Sequence, residues 1–274
     1  METPGLPVRY FAMDHSKLPT ELSCSFVPSG DSPSALALVD HPDLSWMSHY
    51  VGRVLRAIFS RTTANALLCR GHMHVLSTEQ THALLAGSPG PFKSLLDIGA
   101  GDGSALEYIR RAGFETVHVT ETNYAMTWRL WGKGHKVVSG REGKYDVVSC
   151  LNILDRCSHP YTLLRDLRRR LVPGTGRVLL AVVLPWCPFV EGPRGIQMRP
   201  AEYLTLPGST CKDWKGPEHA VSTFVSSILT PLGYNVEAWT KVPYLCQGDR
   251  LKKYYTLDDY VFALSVSSAC SPGD

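Results

Sequence analysis

The stretch Ser94-Leu95-Leu96-Asp97-Ile98-Gly99-Ala100-Gly101-Asp102-Gly103 constrains this chain more than any other. Leu95, Leu96 and Ile98 give the apolar run of a strand covered on both faces, and three glycines at alternate positions let the backbone turn tightly and approach a ligand. A strand entering a helix through such a turn opens a doubly wound α/β sheet, with a cofactor expected on the turn.

Two cofactor classes compete for that position. A dinucleotide fingerprint has its third glycine three residues beyond the second, where this chain has Ser104, and turns bare N–H groups toward pyrophosphate. Asp97 and Asp102 flank the turn, and their charge is expected to repel phosphate. S-adenosyl-L-methionine carries a sulfonium, an ammonium and no phosphate, so acids beside the turn suit it. Hydride transfer is the weakest alternative on the same grounds. Thr116 to Thr120 alternates and is β-branched, so it reads as the next strand, with Glu121 at its carboxyl end. An acid about 20 positions past the glycines can accept both ribose hydroxyls.

The remaining chain continues the alternation. Strands are expected at 135–138, 145–151 and 177–184, and helices at 124–132 and 160–171, which imply parallel βαβ units. A proline- and glycine-rich excursion from Pro185 to Pro217 should wall a substrate groove. A helix at 217–232, a strand at 236–242, a loop through Lys253 and a strand at 257–266 close the domain as an antiparallel pair. The expectation is a seven-stranded, mostly parallel sheet of the class I methyltransferase (Rossmann-like) type. Its single domain spans 43–268, after a proline-rich irregular arm at 1–42 and before a tail at 269–274.

Two helices precede the glycine turn. From Leu44 to Ser60, apolar residues recur at three- and four-residue steps, a stripe expected to pack into the core. At Thr78–Leu85, Ser77 and Gln80 form a capping box and Gly87 and Pro89 stop the helix. Both are expected to cover one side of the sheet.

With 44% hydrophobic and 19% charged residues and a net charge of +3, composition indicates a globular protein without a strong electrostatic partner. Neither nucleic acid nor an anionic membrane is indicated as the main partner; no apolar run is long enough for a membrane span, and a monomer is expected. The amino terminus lacks the basic-then-apolar order of a signal peptide, so cytoplasmic residence is expected. Eight scattered cysteines without a C-x-x-C pair read as reduced, and no metal site is expected.

Chemistry is expected at the end of the 145–151 strand, where Asn152 and Asp155 interrupt an apolar run. An amide there can hold a cofactor's amino-acid end and a carboxylate can orient a nucleophile; equally, Asp155 could cap a helix or pair with Arg156. Tyr244 and Tyr255 read either as core aromatics or as site residues. Gly71-His72-Met73-His74 reads as a loop carrying two histidines.

The segments LLDIGAGDG, TETN, YDVVSCLNILDRC, GRVLLAVVLPWCPFVE, KVPYLCQGD and YYTLDDYVF resemble the DREV family, over roughly Leu44 to Leu264. That family contains protein-L-histidine N-pros-methyltransferases. The resemblance implies methyl transfer from S-adenosyl-L-methionine to the pros nitrogen of histidine in His-x-His segments of substrate proteins. It implies that Asp97, Gly99, Gly101, Glu121, Asn152 and Tyr244 bind the cofactor and that Asp155 and Tyr255 meet the target imidazole. It further implies the endoplasmic reticulum or mitochondrion as alternative compartments, and makes self-methylation at His72 or His74 conceivable. Methylation of a small-molecule amine and a non-catalytic scaffold are the rival functions.

Overall fold

A computed structural model describes residues 5–43, 45–139, 143–192, 194 and 196–267. The expected tail at 269–274 and Cys270 lie outside them. Ahead of the glycine turn come α1 (Thr20–Cys24), α2 (Pro33–Asp40), α3 (Trp46–Arg56), α4 (Arg61–Leu67), β1 (Met73–His74) and α5 (Thr78–Leu85). The alternating body follows as β2 (Ser94–Ile98), α6 (Leu106–Arg110), β3 (Thr116–Thr120), α7 (Tyr124–Gly132), β4 (Lys136–Val137), β5 (Val147–Leu151), α8 (Pro160–Arg169) and β6 (Arg177–Val183). The excursion contains the short pair β7 (Val190–Glu191) and β8 (Gln197–Met198), and α9 (Pro217–Phe224), β9 (Tyr234–Gln247) and β10 (Tyr254–Val266) complete the chain.

One sheet of eight strands runs β1-β9-β10-β6-β5-β2-β3-β4. Strands β4, β3, β2, β5 and β6 are parallel, and β10, β9 and β1 add on antiparallel. Seven of these strands give the class I methyltransferase order. The pleat sends successive side chains to opposite faces and so builds two cores. Leu96, Val148, Val178 and Leu180 pack with Leu164 and Leu167 of α8 and Phe224 of α9. Leu95, Val147, Leu179 and Ala181 pack with Leu84 of α5, Ile109 of α6 and Leu130 of α7.

Five departures from the sequence reading matter for function. First, the terminal hairpin is longer than expected, because β9 continues through Pro243 to Gln247 and β10 starts at Tyr254. Pro243 lies opposite Asp258 where β9 has no strand on its other side, so the missing N–H disrupts no ladder. Second, Met73 and His74 are not loop but the eighth strand, paired with Cys246 and Leu245. Third, α5 has its capping box and packs on the sheet side, whereas α3 turns its apolar residues outward.

Fourth, the amino-terminal arm is more regular than its prolines suggest. Ser32 caps α2 with Pro33 in the first turn, and Leu6, Tyr10, Phe11, Ala35 and Val39 enclose Leu245 of β9. Further along, Phe26 bridges to Trp239, whose indole N–H donates to the Leu22 carbonyl at 2.7 Å. Fifth, Cys187 and Cys211 form a disulfide, contrary to the expectation that the cysteines are reduced; residues 24 apart in sequence meet because the excursion folds back on the end of β6. Cys24, Cys69, Cys150, Cys157 and Cys246 are free thiols.

Candidate active site

The carboxyl ends of β2, β3 and β5 meet at one edge of the sheet, where α/β folds place ligands. The turn after β2 needs its glycines. Gly99, Gly101 and Gly103 have φ of 67°, 57° and 77°, in the left-handed region. A Cβ on Gly99 would lie 2.7 Å from Ile153 Cδ1, so the β2 turn and the segment after β5 are packed together.

The acids around this turn are less negative than their number suggests. Asp102 is buried, but its carboxylate accepts from Arg129 at 3.1 Å, pairs with Lys133 at 3.5 Å and meets His72 Nδ1 at 2.8 Å. Burial pushes its pKa up, and the hydrogen bonds from His72 and Ser104 with the Lys133 charge outweigh that and hold it below the usual carboxylate range. Asp97 is buried without a cation; burial raises its pKa to about 7, against the Ser149 hydroxyl, which donates to it at 2.6 Å. The charges of Asp97 and Asp102 are therefore not what discriminates against phosphate.

Hydrogen-bond geometry does discriminate. The Gly99 and Ala100 N–H groups donate to the Thr120 carbonyl and Gly103 to Ala100, while Ser104 donates to the Asp102 carboxylate. The Gly101 N–H donates to Glu121 Oε2 at 2.9 Å, and Glu121 Oε1 accepts from Thr122 and Asn123, both at 2.7 Å. A pyrophosphate would have to displace these partners, Glu121 among them.

Across the cleft, Asn152 leaves β5 with φ 56°, a conformation Asn tolerates better than most residues. Its Nδ2 donates to Asp259 Oδ2 at 2.7 Å, yet Asn152 Oδ1 and Asp259 Oδ1 are both buried without a partner. Two unpaired acceptors side by side call for a donor group. Asp259, deep in β10 opposite Val183 of β6, has its pKa raised to about 7 by burial, with Asn152 opposing and the nearby Asp155 adding to the rise.

Asp155 is buried and pairs through Oδ2 with Arg156 at 2.5 Å, so the ion-pair alternative is realised. Burial raises its pKa to about 6, and Arg156 limits the rise. The excursion holds this pair in place. Phe189 N–H donates to the Asp155 carbonyl, the Arg156 guanidinium lies 4.1 Å over the Phe189 ring, and the disulfide fixes the neighbouring Cys187. Tyr244 belongs to the same cluster: its pKa is raised well above the usual value by burial and by Cys246, Asp259 and Asp155. The Tyr244 hydroxyl donates to the Met73 thioether, whose methyl is 3.8 Å from where a Cβ on Gly101 would stand.

Tyr255 stands apart. Its hydroxyl donates to Asp249 at 3.0 Å, and it lies four residues from Asp259 along β10, about 13 Å of strand. Thus Asn152, Asp155 and Tyr244 come together with Asp259, which the sequence reading missed; the acid in an apolar strand, YVFALSV following Asp258-Asp259, was the available signal. The first turn of α4 roofs the same edge. Arg61 N–H and the Thr62 hydroxyl donate to Glu191 of β7, and Asn123 Nδ2 donates to the Thr63 hydroxyl.

His74 is buried, with Nε2 bonded to the Ser34 hydroxyl and its pKa lowered to about 4 by burial, while His72 Nδ1 is engaged by Asp102. The pros nitrogen of His74, Nδ1, is unpaired but buried, and that of His72 is the one engaged by Asp102, so neither stands exposed for self-methylation in this fold. A cavity of about 490 Å³ between the arm and α5, bordered by Asp31, Glu79 and Thr240, is lined by none of Asp97, Glu121, Asn152, Asp155, Tyr244 and Asp259.

The unpaired acceptors of Asn152 and Asp259 and the Glu121 carboxylate on the glycine turn suit the ammonium and the ribose hydroxyls of S-adenosyl-L-methionine. A family model described as DREV methyltransferase matches residues 34–266. Among solved structures, the chain is similar to the glycopeptide N-methyltransferase MtfA complexed with S-adenosyl-L-methionine, at 15% identity over 70% of this chain and 94% of that one, TM-score 0.44. It is similar to a putative RNA methyltransferase from Pyrococcus horikoshii, at 16% identity over 69% and 84% of the two chains, TM-score 0.43. A third similarity is to the complex of the Haloferax volcanii Trm112 methyltransferase activator and a putative methyltransferase, at 21% identity, TM-score 0.31, over 36% of this chain and about half, 49%, of that one.

Proposed function

The chain belongs to the DREV methyltransferase family, and on that premise we propose that it methylates the pros nitrogen, Nδ1, of histidine in His-x-His segments of substrate proteins. S-adenosyl-L-methionine is the methyl donor, and its sulfonium supplies an electrophilic methyl. The observation that carries this reading is the buried acceptor group of Asn152 Oδ1 and Asp259 Oδ1 beside Asp155.

In this assignment Asn152 and Asp259 accept the donor's α-ammonium, Glu121 accepts the ribose hydroxyls, and Asp97, Gly99 and Gly101 shape the turn beneath them. Tyr244 closes the crevice over Met73. Asp155 accepts a hydrogen bond from the target's tele N–H, which fixes the tautomer whose pros nitrogen carries the lone pair. Once the pros nitrogen has taken the methyl, Asp155 would accept the tele proton of the resulting imidazolium and pass it on to solvent. Imidazole is largely neutral near pH 7, with a pKa of about 6.5, so alignment matters more than a strong base. Tyr255, at the outer end of the groove, is assigned to the residues flanking the target.

Incubation with a His-x-His peptide and methyl-labelled donor, followed by tandem spectrometry and ring-nitrogen assignment by NMR, tests the reading. Label on Nδ1 that is lost in Asp155→Asn supports it. Label on Nε2, label only on a small amine, or no donor binding refutes it.

A further inference from the structure

Helix α3 is amphipathic and faces the wrong way for a core helix. Trp46, Tyr50 and Ile58 are 68%, 67% and 63% exposed, and Met47, Val51, Val54 and Phe59 are exposed beside them. Gly52 is buried; a Cβ there would meet Arg70 Nη2 at 3.1 Å and Leu68 Cδ1 at 3.2 Å. Arg56 donates back to the Gly52 carbonyl, so the Gly52 side of the helix packs inward and the stripe of Trp46, Tyr50 and Val54 points away.

This exposure is concentrated. Of the eighteen large apolar side chains exposed among the described residues, eleven belong to α3 and the turn after it, to α4, or to α7, which contributes Tyr124, Trp128 and Trp131. Helix α4 packs against both α3 and α7, so one helical layer carries them. An exposed apolar stripe such as that of α3 marks an interaction site.

Charge identifies the occupant. Arg53 on α3 and Arg61 just after it are exposed beside the stripe, whereas Arg56 and Arg70 pack on the Gly52 side of the helix. A second copy of the chain docking symmetrically would set this basic group against itself. An exposed helix face with Trp46 and Tyr50 beside Arg53 and Arg61 instead matches a soft anionic surface, with tryptophan and tyrosine at headgroup depth and guanidinium on lipid phosphate. The eleven residues of α3 extend about 16 Å, too short to cross a bilayer but suited to lie along one. The overall charge of +3 conceals this local concentration.

We propose that α3, flanked by Arg53 and Arg61, docks the protein onto an anionic phospholipid surface. The test is co-sedimentation of the full chain with phosphatidylcholine vesicles containing or lacking phosphatidylserine, at low and high salt, alongside Tyr50→Glu/Val54→Glu and Arg53→Glu. Binding to anionic vesicles should exceed that to neutral ones, weaken with salt, and fall roughly ten-fold or more in the double variant, with melting temperature unchanged. The Trp46 fluorescence should shift to the blue on binding. Equal sedimentation with and without vesicles overturns the proposal. So does a light-scattering dimer that the double variant dissociates, or binding of polyglutamate without binding of vesicles.

Discussion

Replacing Asp259 by asparagine tests the acceptor cluster most directly, because the change keeps the shape and removes only the charge. The folded pKa of Asp259 is raised from 3.8 to about 7, so the native state holds its proton more tightly than the unfolded chain does. The sign follows from linkage: the stability that this proton contributes is present at low pH and is lost as pH rises from about 4 through about 7. Between about pH 5 and about pH 8 that loss is about 2–3 kcal/mol, which Asp259→Asn cannot show. The variant's melting temperature should therefore gain on wild type by roughly 5–10 °C across that interval. The side-chain carbonyl introduced by Asp259→Asn can still accept from Asn152 Nδ2, so the packing is kept.

Binding gives the second half of that test. An ammonium donating to this cluster favours the ionised carboxylate, so affinity for adenosyl-homocysteine should rise with pH up to about 7 in wild type and be flat and weaker in the variant, by roughly ten-fold at about pH 8. Differential scanning calorimetry and titration calorimetry read the two effects separately. A melting difference that is constant over the whole pH range refutes the buried-acid argument, and equal affinity at about pH 8 refutes the ammonium assignment.

Glu121→Gln should weaken adenosyl-homocysteine by roughly ten-fold or more in titration calorimetry, since the charged acceptor for the ribose is lost. Gly99→Ala should cost about 1–3 kcal/mol in denaturant melts and exceed Gly101→Ala, because the new methyl meets Ile153 at 2.7 Å at one site and only Met73 at 3.8 Å at the other. Cys187→Ser with Cys211→Ser should lose about 3 kcal/mol of stability and lower methyl transfer, because the wall beside Arg156 loses its staple; unchanged activity in that pair would contradict the role given to the excursion.

Much of the parallel half was readable because its signals are local. Apolar runs such as Leu95-Leu96 and Val178 to Val183 of β6 read as strands covered on both faces, and the glycines after Ile98 announce a left-handed turn. The hairpin was read too short because Pro243 argues against a strand unless one knows that the strand is an edge there. Asp259 was missed because a buried acid is recognised by what surrounds it, and Asn152 is 107 residues away. The α3 stripe was assigned to the core because periodicity reports that a helix has an apolar side but not which side the fold turns inward. The disulfide likewise depends on the path of an excursion that has no period to read.

Tyr244, Tyr255 and Asp259 sit on one ribbon, since β9 and β10 pair without interruption from Gln247↔Tyr254 to Ala238↔Ala263. Inserting or deleting one residue between Tyr244 and the connecting turn would rotate part of that set to the opposite side of the sheet in a single step. Evolution and engineering alike are thus left with the 248–253 connection as the place to vary length, and with side-chain exchange alone along the rest of β9 and β10.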